Sequence, residues 1–160
     1  KDIEIVLKNI KKYNPKAKVI LAKSKLLVNK PRLIRGKMCA VVGDGPTLSH
    51  GGMSYGAGTI AVKRNGGKFV NPRKYAVGSI KDTFEKFPHL TNEIPAMGYS
   101  RKQIKDLEKT INRVPCDVVV DGTPANLKGL ISVNKPMVEV DYELGDSAVK
   151  DFEKILKRFK

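Results

Sequence analysis

Residues 36–58 read GKMCAVVGDGPTLSHGGMSYGAG, and the fold turns on how that stretch is taken. Met38 to Val42 is a short apolar run bounded by glycines, the pattern of a strand buried on both faces. Six of the fourteen glycines in the chain then fall between Gly43 and Gly58, around one of its two histidines. A flexible linker is also rich in glycine, but it does not follow a buried run or carry Asp44, Pro46, Thr47 and His50 at single positions. A turn whose backbone must approach something closely does. The spacing predicts a tight turn over 43–47, then a glycine-rich helix starting near Gly52 or Met53 and stopping at Gly66-Gly67.

Outward from that stretch the chain alternates. On the N-terminal side, DIEIVLKNIKKY (2–13) sets Ile3, Val6, Leu7 and Ile10 at helical spacing, and AKVILA (17–22) reads as a short strand. On the C-terminal side, KFVNP (68–72) reads as a strand and SIKDTFEKF (79–87) as a helix closed by Pro88. SRKQIKDLEKTINRV (100–114) is the clearest helix: Ser100 is an N-cap, Gln103 completes a capping box, and Ile104, Leu107 and Ile111 form one face. Strands CDVVVDGTP (116–124) and PMVEVDYEL (136–144) follow, joined through a turn or short helix at PANLKGLI, and SAVKDFEKILKRF (147–159) is a final amphipathic helix. Strands separated by helices predict an α/β fold with a mostly parallel sheet and helices on both faces. In such sheets ligands bind beyond the C-terminal strand ends, where the turns GDGPT and DGTP fall.

Bulk properties narrow the classes. The 160 residues suit a core-forming domain, and no apolar run approaches the ~18–20 residues of a membrane span. The start, KDIEIVLKNIKKYNPK, is too charged for a secretory signal, so a cytoplasmic protein with no membrane association is expected. Cys39 and Cys116 lie in apolar runs and read as buried thiols; no Cys/His spacing suggests zinc, and no metal site is expected. Lys and Arg number 31 against 16 Asp and Glu, a net charge of +15, and residues 1–40 alone carry +10. Such a field favours anions, whether phosphorylated metabolites, acidic surfaces or nucleic acid, and is also the mark of a Lys-rich solvated surface as in many thermophile proteins.

In the glycine turn, exposed N–H groups would form an anion nest together with the positive end of the next helix. Gly45, Pro46, Gly51 and Gly52 shape the loop, with Asp44 and Tyr55 at its two ends. Thr47 and Ser49 offer hydroxyls, and His50 offers a hydrogen bond or a proton relay. A second cluster, NPRKYAVGSIKDTF, sets Arg73, Lys74 and Lys81 around Tyr75. Asp121 ends a buried strand and Thr123 follows it, a common place for a functional carboxylate and equally for a simple cap. GAGTIA (56–61) matches a dinucleotide fingerprint in letters only, since it follows a polar loop; close helix packing accounts for Gly56, Ala57 and Gly58. The phosphate-loop pattern G-x-x-x-x-G-K-[ST] is absent.

GDGPTLSHGGMSYGAG, VNPRKYAVGSIKDTFEKFPHL, IPAMGYSRKQIKDLEKTINRVPCDVVVDGTP and VNKPMVEVDYEL together resemble the C-terminal part of archaeal cyclic 2,3-diphosphoglycerate synthetase and related predicted GTPases, over nearly the whole chain. Family members carry a phosphate-loop nucleotide-binding core before this region. The resemblance implies the C-terminal portion of an NTPase-like enzyme, with residues 1–36 ending the nucleotide core and 37–160 forming a substrate-binding region. The implied activity is ATP-dependent closure of 2,3-diphosphoglycerate to its cyclic phosphoanhydride, with ADP and phosphate released. ATP and Mg²⁺ would bind mainly upstream, with Ala22, Lys23 and Ser24 touching the base. These 160 residues would be inactive alone and would act with the remainder of the same enzyme, as a homodimer.

The catalytic difficulty is repulsion between two phosphates on neighbouring carbons, which fixed dipoles and cations lower. On that reading the 43–58 loop is the cradle. Arg73, Lys81 and Arg35 neutralise charge, and His50 binds phosphate or carboxylate or moves a proton. Two other readings remain: a GTPase-like regulator or metallochaperone, and a basic nucleic-acid module. Against the last, aromatics are 6% and tryptophan is absent.

Overall fold

The computed structural model describes residues 2–157 and 159. Two compact units are present, one of Lys1–Lys25 with Glu143–Lys160 and the other of Leu26–Tyr142. Helix α1 (Asp2–Tyr13) of the first unit is amphipathic but buries none of its residues. Helix α6 (Asp146–Leu156) buries Ala148 alone. Within this unit Lys25 pairs with Glu143 at 3.0 Å, and the Gly145 amide donates to the Lys23 carbonyl.

The sheet has six strands: β1 (Ser24–Val28), β2 (Met38–Asp44), β3 (Lys68–Phe69), β4 (Glu93–Ala96), β5 (Val118–Gly122) and β6 (Met137–Leu144). Their order is β1-β6-β5-β2-β3, and β4 also pairs with β2, end to end with β3. The β2 pairings with β3, β4 and β5 and the β5 pairing with β6 are all parallel. At the outer edge the Asn29 amide, just after β1, donates to the Glu139 carbonyl near the start of β6 while Lys25 pairs with Glu143 near its end, so β1 runs antiparallel to β6. The expected α/β fold with a mostly parallel sheet is present.

Alternation along the strands sorts the core onto two faces. Val41, Val118, Val120, Val138 and Val140 pack with Ala61 and Val62 of α3 (Ala57–Arg64). Ala40, Val42 and Val119 face the other way, onto Leu48 of α2 (Gly45–His50), Ile80 and Phe84 of α4 (Gly78–Lys86) and Leu107 and Ile111 of α5 (Arg101–Arg113). Helices therefore cover both faces. Helix α5 carries the complete capping box of Ser100 and Gln103 that its sequence announces.

Four local expectations are corrected. AKVILA (17–22) is not a strand; the run is mostly exposed, has no ladder, and the strand begins two residues later at Ser24. The turn over 43–47 does not stay a loop: Asp44 caps Thr47, Pro46 takes the first turn, and α2 runs on to His50. The helix expected from Gly52 or Met53 begins only at Ala57. Finally β4, sequence EIPA, has no counterpart in the sequence reading. Pro95 argues against a strand, yet β4 pairs on one side only, where a missing N–H costs nothing.

Candidate functional site

The parallel strands bring their C-terminal ends to one edge, which carries Asp44 from β2, Asp121 to Thr123 from β5, and Glu139 and Asp141 from β6. Alternation sets Asp121 on the same side of β5 as Val119, and strand pairing puts it directly beside Glu139. Asp121 is only 4% exposed. Its Oδ1 accepts from the Thr123 amide at 2.9 Å and the Thr123 hydroxyl at 2.7 Å. Burial pushes its pKa up, and Glu139 adds to the rise, while the Thr123 hydrogen bonds oppose it. Glu139 accepts from Lys128 Nζ and Asn29 Nδ2, both at 2.6 Å. A cavity of about 270 Å³ opens here, lined by Asp121, Thr123, Asn126, Glu139 and Asp141 among others.

Tyr99, in the loop after β4, is 43% exposed. Its phenol pKa is raised by burial first and then by the charges of Asp44 and Asp121, which places both carboxylates within electrostatic reach of Tyr99. The sequence reading found Asp44, Asp121 and Thr123 but missed Tyr99, Glu139 and Asp141. The alternation of MVEVDYEL held a usable signal: Glu139 and Asp141 share a strand face with buried Met137.

The amides expected to meet an anion are already engaged by carboxylates of the chain itself. Asp44 accepts from the Thr47 amide and hydroxyl. Glu93, 1% exposed at the start of β4, takes the Gly56 amide at 2.8 Å and the Thr59 amide at 3.1 Å, and so fills the N-terminus of α3. A Cβ on Gly43 would run into the Glu93 carboxylate, and one on Gly56 would stand 3.1 Å from it. The glycine-rich stretch wraps closely around a carboxyl group of the chain itself, that of Glu93. Its other oxygen, Oε2, and the Thr59 hydroxyl have no hydrogen-bond partner.

The remaining predicted residues are dispersed. Gly45 is buried against Ala96 and Met97, and Pro46 lies in the first turn of α2. Ser49 Oγ donates to the Gly45 carbonyl at 2.7 Å and lies 2.9 Å from His50 Nδ1. Gly51 caps α2, Gly52 is exposed at φ +63°, and Lys63 Nζ sits 5.3 Å over the ring of exposed Tyr55.

Arg73 donates to the carbonyls of Phe84, Phe87, Pro88 and Leu90, binding the end of α4 with every arm of its guanidinium. Lys81 lies on the α4 surface, 3.8 Å from Glu85. Arg35 is exposed before β2, at the opposite end of that strand from Asp44, in a cavity with Arg32 and Arg64. Ala22, Lys23 and Ser24 are exposed and belong to the other compact unit. Among the described residues no group of three His, Cys, Asp or Glu converges on a metal position. No described helix is long and apolar enough to cross a membrane. Cys39 and Cys116 are free, and burial pushes the Cys39 thiol up to about 11.

Over 159 residues the chain is 51% identical to the arginine synthetase ArcE of Thermococcus kodakarensis. The likeness is to part of a synthetase. The match takes in 99% of this chain and 36% of that protein, so the chain spans about a third of its curated relative's length. No protein-family model matches the chain, and no solved structure does.

Proposed function

We propose that this chain is a substrate-binding part of an ATP-dependent ligase of the arginine synthetase type. The observation that carries the reading is 51% identity maintained across nearly every residue of the chain. The acidic strand edge is consistent with it: arginine is a cation, and Asp44, Asp121, Glu139 and Asp141 concentrate negative charge on a chain of net charge +15. Nucleotide and Mg²⁺ are assigned to residues outside these 160. The sequence contains no phosphate loop, and among the described residues no converging ligand set for the ion lies at the acidic edge. The part played here is binding and orientation. Asp121, held partly towards its neutral form by burial, is suited to keep or return a proton beside a bound substrate.

The second reading is closure of 2,3-diphosphoglycerate, favoured by the motif resemblance of GDGPTLSHGGMSYGAG and VVVDGTP. It needs cations converging on the glycine turn, whereas Arg73 is committed to α4 and Arg35 lies at the far end of β2. One assay separates the two. The native gene product, given ADP, phosphate and Mg²⁺, is expected to form one ATP for each added arginine consumed, the water released in joining ADP to phosphate being taken up in cleaving a C–N bond of the guanidino group. Failure with arginine, together with ATP-dependent consumption of 2,3-diphosphoglycerate, would transfer the assignment to the second reading.

A further inference from the structure

We infer that the cavity holding Arg32, Arg35 and Arg64 binds the phosphate groups of a small polyanion, either inorganic triphosphate or the phosphate tail of a nucleotide. The three guanidiniums receive the phosphate oxygens at the end of β2 opposite the acidic edge, and the support for this is independent of the ligase reading.

Three observations carry it. The first is a choice of residue type. Lysine outnumbers arginine 24 to 7 in the chain, yet three of the seven arginines line this one cavity of about 660 Å³. A merely solvated basic face is served by lysine. Arginine presents five N–H donors in a planar fork that matches two phosphate oxygens at once.

The second is a want of internal partners. Residues 26–43 and 57–69, the segments that frame the cavity, hold seven Lys and Arg and no Asp or Glu. Among the described residues none of the three guanidiniums makes an ion pair, and Asp117, just before β5, accepts the Met38 amide instead. Arg73 is the contrast, with every arm already on a carbonyl. A helix end accounts for one of the three: Arg64 closes α3, where a cation suits the last carbonyls. Like charges gathered in one cavity repel, and an anion brought in from outside relieves that repulsion.

The third is a rigid frame. Pro31 opens a short 3₁₀ turn, Pro31–Leu33, that continues through Ile34, and residues three apart in such a turn fall on one side. Arg32 and Arg35 therefore emerge together, while Ile34 between them is fully buried in the cluster beneath α3. Gly36, at φ +72°, donates its amide to the Gly66 carbonyl, and the Lys68 amide donates to the Lys37 carbonyl, so the two segments are tied to each other. Donors held in place before the ligand arrives lose less entropy on binding. The volume lies within the range of small-molecule sites, ~300–1,000 Å³. Among the described residues that line the cavity there is no aromatic ring on which a nucleic-acid base could stack and no carboxylate to hold a metal.

The test is arginine footprinting of the native gene product with phenylglyoxal, read residue by residue by mass spectrometry, in EDTA and at constant ionic strength. Inorganic triphosphate and ATP are each expected to slow modification of Arg32, Arg35 and Arg64 about fivefold or more at saturation, while exposed Arg101 and Arg113 react as before. AMP, with its single phosphate, is expected to need about tenfold more ligand for the same protection. Arg35→Ala is expected to raise the triphosphate concentration that protects Arg32 and Arg64 about tenfold; Arg35→Lys, which keeps the charge and loses the fork, about threefold. Protection by ATP without protection by triphosphate would mean that the base is recognised, and protection by a nucleic-acid duplex alone would give this face to a macromolecule; each overturns the site. Equal slowing of all five arginines would be screening only, and an Arg35→Ala variant protected at the parent's concentration would take the cavity out of binding. Either result ends the inference.

Discussion

Asp121 is the residue on which folding and function make opposed demands. Its folded pKa lies above the ordinary aspartate value of 3.8, with burial the first cause. The folded chain therefore holds the proton more tightly than the unfolded one. That contribution to stability is fully present below 3.8 and is lost as pH rises through the raised value. At neutral pH the ionised side chain is a net burden, so Asp121→Asn is expected to unfold at the same temperature as the parent or a higher one. The advantage should shrink as the solution is acidified, and thermal melts of both proteins across that range check it. A lower melting temperature for the variant at neutral pH would contradict the assignment of burial as the dominant cause. Asp121 and Thr123 could be picked from DVVVDGTP because a carboxylate at the end of an apolar run stands out. Glu93 could not: nothing local distinguishes it, and its partners Gly56 and Thr59 lie 37 and 34 residues away.

At the scale of elements, β5 and the start of α3 approach so closely that neither can carry a side chain where they meet. A Cβ on Gly122 would stand 2.6 Å from the Gly58 amide nitrogen, and one on Gly58 would stand 2.5 Å from Val41 Cγ1. Gly122→Ala meets backbone, which cannot rotate away, and is expected to cost about 2–3 kcal/mol in denaturant unfolding. A loss within a few tenths of a kcal/mol would mean that the two elements can slide apart. The close helix packing expected of this segment is present at Ala57 and Gly58, whereas Gly56 is held against the Glu93 carboxyl group. Helix α5 was legible to the residue because its cap, box and apolar stripe agree. Helix α2 was written as plainly in Asp44-Gly45-Pro46-Thr47, an N-cap followed by a first-turn proline. It went unread because two glycines suggested a loop.

For the whole molecule, burial is unevenly shared. Helix α1 buries no residue, whereas α5 buries Leu107, Thr110 and Ile111. Amides of α1 are accordingly expected to exchange with deuterium much faster than those of α5, by hydrogen-exchange mass spectrometry; equal protection would mean that α1 is covered in solution. Local pattern encodes most of the helices and strands, the parallel sheet and the two-faced core, with α2, β4 and the false strand at 17–22 as the exceptions. Each of these follows from nearest neighbours and from apolar periodicity, which act over a few residues. The sequence by itself also determined that the chain is basic. Tertiary packing alone fills the glycine turn with Glu93, spends Arg73 on carbonyls, and gathers carboxylates from three strands at one edge of a basic protein. Those outcomes depend on strand order and register, which bring together residues distant in the chain and which no local pattern encodes.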